Sequence, residues 1–204
     1  VMRSAPFGLA RFKDPELALQ SAALTHGHPT GQVAAAALAV MIRAIMETQD
    51  LNASLEATFD WLTQTEHHQE TFNALKAATT ASNIEQLGEG WIAEEALAMG
   101  VYAALQFPQP EHMLNALGLA VTHGGDSDST GSIAGNILGA LHGTEALPSH
   151  LLEQLEGKNT IERIATDLAT ITHAPQEVFT HSNKPNQFPA PSINDEWWES
   201  YPGW

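Results

Sequence analysis

His123-Gly124-Gly125-Asp126-Ser127-Asp128-Ser129-Thr130-Gly131 runs directly into Ile133, Ala134, Ile137, Leu138 and Leu141, apolar residues that recur at helical spacing. The pattern predicts a buried helix over about 130–142 with two carboxylates and two hydroxyls at its mouth. Those oxygens suit a hard cation. Asp126 and Asp128 supply charge, Ser129 or Thr130 a neutral oxygen, and Gly124 and Gly125 leave the backbone bare enough for a ligand to come close. Asp, Ser and Thr are also helix caps, and a lone Asp before an apolar helix is ordinarily only that. A second Asp two residues away exceeds what capping needs, because two uncompensated carboxylates repel each other and a cation removes the repulsion. An EF-hand does not fit: Asp126, Asp128 and Gly131 occupy its first, third and sixth positions, but Ile137 stands where a bidentate Glu is required.

Outward from this stretch, nearly every periodic segment has the helical repeat and none alternates as a strand does, so the fold is expected to be all-α, and the short connections imply a compact helical bundle. Asp14-Pro15-Glu16 opens a helix to about Leu24, with proline in the first turn. A long Ala-rich helix begins at Thr30 or Gly31 and ends near Thr48, its small side chains allowing close approach of neighbours. Further helices are predicted at about 51–64, 67–81, 90–106, 110–122, 149–156 and 159–173. After Ala174 the composition changes: prolines break up helices, and Trp197, Trp198, Tyr201 and Trp204 gather at the end. The expected organisation is one helical domain over 1–174, with a Pro- and aromatic-rich tail over 175–204 packed on it.

The 204 residues suit one domain with a sizeable core. Eight Lys and Arg against 24 Asp and Glu give a net charge of −16, a field that repels nucleic acid and anionic membrane surfaces and favours divalent cations. With no cysteine, disulfides and thiolate metal sites are excluded. The most apolar segment, Val33 to Met46, falls short of the roughly 20 residues of a membrane span and contains Arg43, so it reads as a buried helix. With no secretory signal in view, the expected location is cytoplasmic.

His123 to Gly135, continued by Leu138-Gly139-Ala140 and Gly143, resembles the C-terminal signature of the ADP-ribosylglycohydrolases. Three further blocks agree in order: Met2-Arg3-Ser4-Ala5-Pro6 with Gly8-Leu9, then Leu24-Thr25-His26-Gly27-His28-Pro29, then Leu87-Gly88-Glu89-Gly90-Trp91-Ile92-Ala93-Glu94-Glu95-Ala96-Leu97. The resemblance implies an all-helical domain that holds two divalent cations, Mg²⁺ or Mn²⁺, in a cleft for ADP-ribose. It also implies hydrolysis of the glycosidic bond joining ADP-ribose to a protein side chain. Carried over by motif, Asp126, Asp128 and Ser129 are expected as metal ligands, His26 as a residue near the bound ribose or phosphates, and Gly124 and Gly125 as backbone that approaches the ligand. Expected partners are an ADP-ribosylated protein or ADP-ribose itself.

The sequence departs from the family pattern in one respect. The Gly-Asp and Thr-Asp-Asp blocks that carry the other metal ligands, and a further acidic residue used in catalysis, do not occur, and no Asp-Asp pair is present. The sequence reading therefore assigns no catalytic residue and expects this chain to be the C-terminal part of a longer product, with its own N-terminal segment as a partner. The competing expectation is a non-catalytic ADP-ribose binder or structural member of the same fold. An unrelated Mg²⁺ phosphohydrolase is disfavoured, since no phosphate-cradling Gly-Lys-Ser or Gly-Lys-Thr occurs. Among other candidates, His28 reads as a turn residue satisfied by backbone, and His67 and His68 as solvated helix residues. Glu94 and Glu95 read as surface groups with support of the metal site as the functional option, and Trp91 as core rather than an adenine platform.

Overall fold

The computed structural model describes residues 1–10 and 14–173, and the tail expected over 175–204 lies outside them. The described residues form α-helices and short 3-10 turns, and no strand. In chain order the helices are α1 (Ala5–Leu9), α2 (Glu16–Ala23), α3 (Pro29–Thr48), α4 (Leu51–Thr63) and α5 (Gln69–Ala78). They continue with α6 (Ala93–Gln106), α7 (Met113–Val121), α8 (Ser127–His142), α9 (Ser149–Glu153) and α10 (Lys158–His173). Backbone contacts gather Val1–Lys158 into one unit and Asn159–Trp204 into another.

Helix α3 is the centre of the first unit, packing against α1, α2, α4, α5, α6 and α8. Its alanines, with Ala34, Ala36 and Ala37 fully enclosed, leave room for that many neighbours, while Leu38, Met41, Ile42 and Ile45 fill the space between them. Leu97 and Met99 of α6 and Ile133 and Ile137 of α8 join the same core. Each such side chain contributes about 1.5–3 kcal/mol over leaving it exposed. By length and composition α3 could cross a membrane, with mean hydropathy 1.4, yet 67% of that window is buried inside the fold. The helix starts at Pro29, one residue before the predicted Thr30, because proline's missing N–H costs nothing at the first helical position. It ends where Gln49 turns left-handed at φ 54° and donates its amide to Ile45. Asp50 then opens α4, its carboxylate accepting from the Ala53 amide at 2.9 Å.

Several boundaries differ from the sequence prediction. Helix α8 begins at Ser127 rather than about 130, so Asp128, Ser129 and Thr130 stand in its first turn. The predicted 110–122 helix is a 3-10 turn, Pro110–His112, followed by α7. Helix α5 starts at Gln69, so His67 and His68 precede it rather than sitting within it. Two elements were too short to show a period: α1, and the 3-10 turn Ile84–Leu87, capped by Asn83 accepting from the Gln86 amide at 3.1 Å.

Candidate active site

The first turns of α3, α6 and α8 converge on one cleft of about 630 Å³. Thr30 and Gly31 of α3, Ala93 and Glu94 of α6, and Asp126 and Ser129 at the start of α8 line it. None of the three helices has a side-chain capping bond at its N-cap, which is His28, Ile92 and Asp126 respectively. The first amides of each helix therefore have no side-chain cap, and the positive ends of three helix dipoles meet at the same space, an arrangement that favours an anion.

All four sequence blocks reach this cleft. Met2 and Arg3, His26 and His28, Gly90 and Trp91, and Asp126 and Ser129 are all lining residues. The first block is fastened to α8: Asn136 Nδ2 donates to the Met2 carbonyl at 3.0 Å, and Ser129 Oγ lies 3.4 Å from the Met2 sulfur. It is fastened to the second block through Arg3, whose Nη2 donates to the Ser21 carbonyl at 2.7 Å and to Thr25 Oγ1 at 3.2 Å. Thr25 Oγ1 in turn lies 2.8 Å from His26 Nδ1, which orients the imidazole. Arg3 is the only Lys or Arg among the described lining residues.

Asp126 is half-buried at the cleft and Asp128 is exposed beside it, outside the lining set. Burial raises the Asp126 carboxyl, but the Asp128 side chain, the Ser129 hydroxyl and amide and the nearby His123 outweigh it and hold it below the ordinary carboxylate range. The Ser129 amide approaches without reaching capping geometry. Thr130, the other neutral oxygen considered in the sequence, points inward instead. Its buried hydroxyl donates to the Ala120 carbonyl at 2.6 Å and lies 2.9 Å from His123 Nε2. Two carboxylates and a hydroxyl fit Mg²⁺ or Mn²⁺, which take hard oxygens and keep several waters rather than needing a closed protein cage. Among the described residues no group of three or more acidic, His or Cys side chains is placed to hold a metal.

Gly124 and Gly125 do not line the cleft. Gly124 has open space where a Cβ would stand, whereas a Cβ on Gly125 would run into the Glu89 carbonyl. The bare backbone at Gly125 is thus occupied by another loop of the same chain. Trp91 is not core, as its sequence context suggested: it is 66% exposed on the lip of the cleft, its Nε1 donating to Glu89 Oε2 at 3.1 Å. Gly88 at φ +112° and Gly90 at φ +77° bend the loop that carries it outward. His28 is likewise a lining residue rather than only a turn former, although its carbonyl does accept from the Gly31 amide at 3.1 Å.

One acidic residue had no motif to point to it, and a second lay in a family block without being singled out. Glu70 of α5 reaches the cleft, where Thr30 Oγ1 donates to its Oε2. Glu95 accepts from the Glu89 and Gly90 amides at 3.1 and 3.2 Å. Only the family block around Glu95 marked that region, and it did not distinguish Glu95 from Glu94.

The sequence model of the ADP-ribosylglycohydrolase family matches residues 1–177, which takes in every block described above. No solved structure matches the chain. Members of this family act on ADP-ribosylated substrates, hydrolyse glycosidic bonds of ADP-ribose derivatives and are generally dependent on divalent metal. With helices throughout the described residues and a match over most of its length, the chain belongs to the ADP-ribosylglycohydrolase family.

Proposed function

We propose that this chain carries the ADP-ribose-binding part of a metal-dependent hydrolase that cleaves the bond between ADP-ribose and a protein side chain, releasing ADP-ribose. The observation that carries the reading is the meeting of all four sequence blocks with three helix N-termini in one cleft. Its volume of about 630 Å³ falls in the ordinary range for small-molecule sites. The pyrophosphate would lie against the first-turn amides of α3 and α6. Arg3 offsets part of the acidity that Glu70, Glu94 and Asp126 bring to the same walls. Trp91, exposed at the lip, offers a flat apolar face for the adenine.

At the start of α8, Asp126, Asp128 and Ser129 would hold two divalent cations, Mg²⁺ or Mn²⁺. When bound, such a pair supplies positive charge for the ribose hydroxyls and lowers the pKa of the attacking water. Asp126 contributes a carboxylate that is already ionised, so binding need not displace a proton from it.

Release of free ADP-ribose from ADP-ribosylated protein, measured with and without Mg²⁺ or Mn²⁺, tests the proposal. Metal-dependent release that is lost in Asp126→Ala is the expected result. ADP-ribose binding without any release would make the chain a non-catalytic binder, and no binding at all would end the reading.

A further inference from the structure

Glu95 occupies the third position of α6, where an acidic side chain often reaches back to the N-cap amide. Here it reaches further, past Ile92 and Trp91, and a single oxygen, Oε2, accepts from the amides of both Glu89 and Gly90. Just before them, Gly88 sits at φ +112° with a Cβ position that would overlap the Glu95 carboxyl, so the loop is drawn tight against it. The opposite side of the same loop is also committed. The Glu89 carbonyl accepts the Asp126 amide at 2.8 Å, and Gly125 leaves that carbonyl the space it needs. The loop then continues into Trp91, tied back to Glu89 by its indole nitrogen.

We infer that Glu95 is the positioning residue of the cleft. Through the Glu89 carbonyl it fixes the backbone of Asp126, and through Gly90 it holds Trp91 on the lip. This rests on the function proposed above. It assigns Glu95 no contact with metal or substrate, and it uses one carboxylate oxygen as an acceptor rather than the carboxylate's charge. Glutamine can present an equivalent oxygen; alanine cannot. Gly88→Ala, which plants a methyl group on the Glu95 carboxyl, should reproduce the loss by a different route.

The test compares Glu95→Ala, Glu95→Gln and Gly88→Ala in the full chain. Amide hydrogen exchange reads the loop in the unliganded protein, and Mn²⁺ titration and ADP-ribose affinity read what the loop holds, Asp126 and Trp91. In Glu95→Ala the Asp126, Glu89 and Gly90 amides should exchange about tenfold faster while α4 amides keep their protection. Mn²⁺ affinity should fall by about tenfold, the lower end of what loss of a supporting group costs, and ADP-ribose should weaken with it. Glu95→Gln should stay close to wild type in all three readouts, and Gly88→Ala should follow Glu95→Ala. Unchanged Asp126 exchange in Glu95→Ala overturns the inference, as does a Gln variant as impaired as the Ala variant, which would mean that the charge acts directly. Failure of the functional reading shows separately, as a wild-type chain that takes up neither Mn²⁺ nor ADP-ribose while the exchange pattern still reports the loop.

Discussion

Helices α4 and α8 both follow an aspartate at the N-cap, yet the two side chains do different things. Asp50, extended at φ −136° and ψ 120°, turns its carboxylate onto the Ala53 amide and closes the first turn of α4. Asp126, at φ −76° and ψ 75°, makes no capping bond, and its own amide is taken by the Glu89 carbonyl. A second acid, Asp128, follows within the first turn of α8, where α4 has none. Asp50 commits a carboxylate oxygen to its own helix, whereas Asp126 faces the cleft with no bond in capping geometry, approached only by neighbouring groups of its own turn. The backbone around the aspartate, rather than the residue type, therefore separates a cap from a candidate ligand.

The strongest way to break this comparison is Asp126→Asn. Activity should fall beyond the roughly 10–100-fold that loss of a mere supporting group costs. Stability should change by no more than about 0.5 kcal/mol, because no capping bond is removed. ADP-ribose release and a thermal melt on the same preparation check both halves. A large drop in the melt with activity intact would make Asp126 a structural cap after all.

Thr130 comes next. Its hydroxyl sits at full burial between the Ala120 carbonyl and His123, five residues along the chain from Gly125. Thr130→Val removes the hydroxyl's bonds at nearly constant volume, while His123 Nε2 and the Ala120 carbonyl keep each other at 2.9 Å, and should cost about 1 kcal/mol in equilibrium denaturation. Metal affinity should follow only as far as the fold does, since Thr130 points away from the cleft. A selective loss of Mn²⁺ affinity in a fully stable Thr130→Val would instead place this hydroxyl in the metal site.

The helical repeat made most of this architecture legible before any coordinates: the apolar period from Ile133 to Leu141 marks α8, and the alanine run marks α3. Family blocks made four walls of the cleft legible too, because their order survives however the chain folds. What stayed hidden was everything set by backbone geometry. Trp91 looked like core in a helical stretch, but two left-handed glycines turn it outward. Gly125 looked like room for a ligand, and the Glu89 carbonyl fills it. Glu95 and Glu94 were indistinguishable as neighbouring acids, yet one lines the cleft and the other anchors the loop beside it. No periodicity encodes an acceptor that reaches back five and six residues, and Glu70 arrives from α5 only because Thr30 holds it.

Trp91 sharpens the comparison at the nucleotide end. An indole that is two-thirds exposed contributes little to the fold, so Trp91→Ala should leave the melting temperature almost unchanged. If it carries the adenine, KM should rise about tenfold, equivalent to about 1.4 kcal/mol, with kcat nearly constant. Trp91→Phe, which keeps a flat ring, should recover most of the affinity. A kcat effect without a KM effect would place Trp91 near the reacting bond rather than at the adenine.

Asp50→Ala gives the smallest effect and the cleanest reciprocal. Here the carboxylate has an identified bond, to Ala53, in an extended N-cap that follows the left-handed Gln49. Removing it should cost about 1 kcal/mol, the usual value for a helix cap. Activity and Mn²⁺ affinity should match wild type, since Asp50 is not among the cleft-lining residues. The pair of variants then forms a double dissociation: one aspartate whose loss is felt only in stability, the other only in chemistry. If Asp50→Ala weakened Mn²⁺ binding as Asp126→Asn does, both losses would have to act through the net charge of −16 rather than through a site, and the difference between the two N-termini would carry no functional meaning.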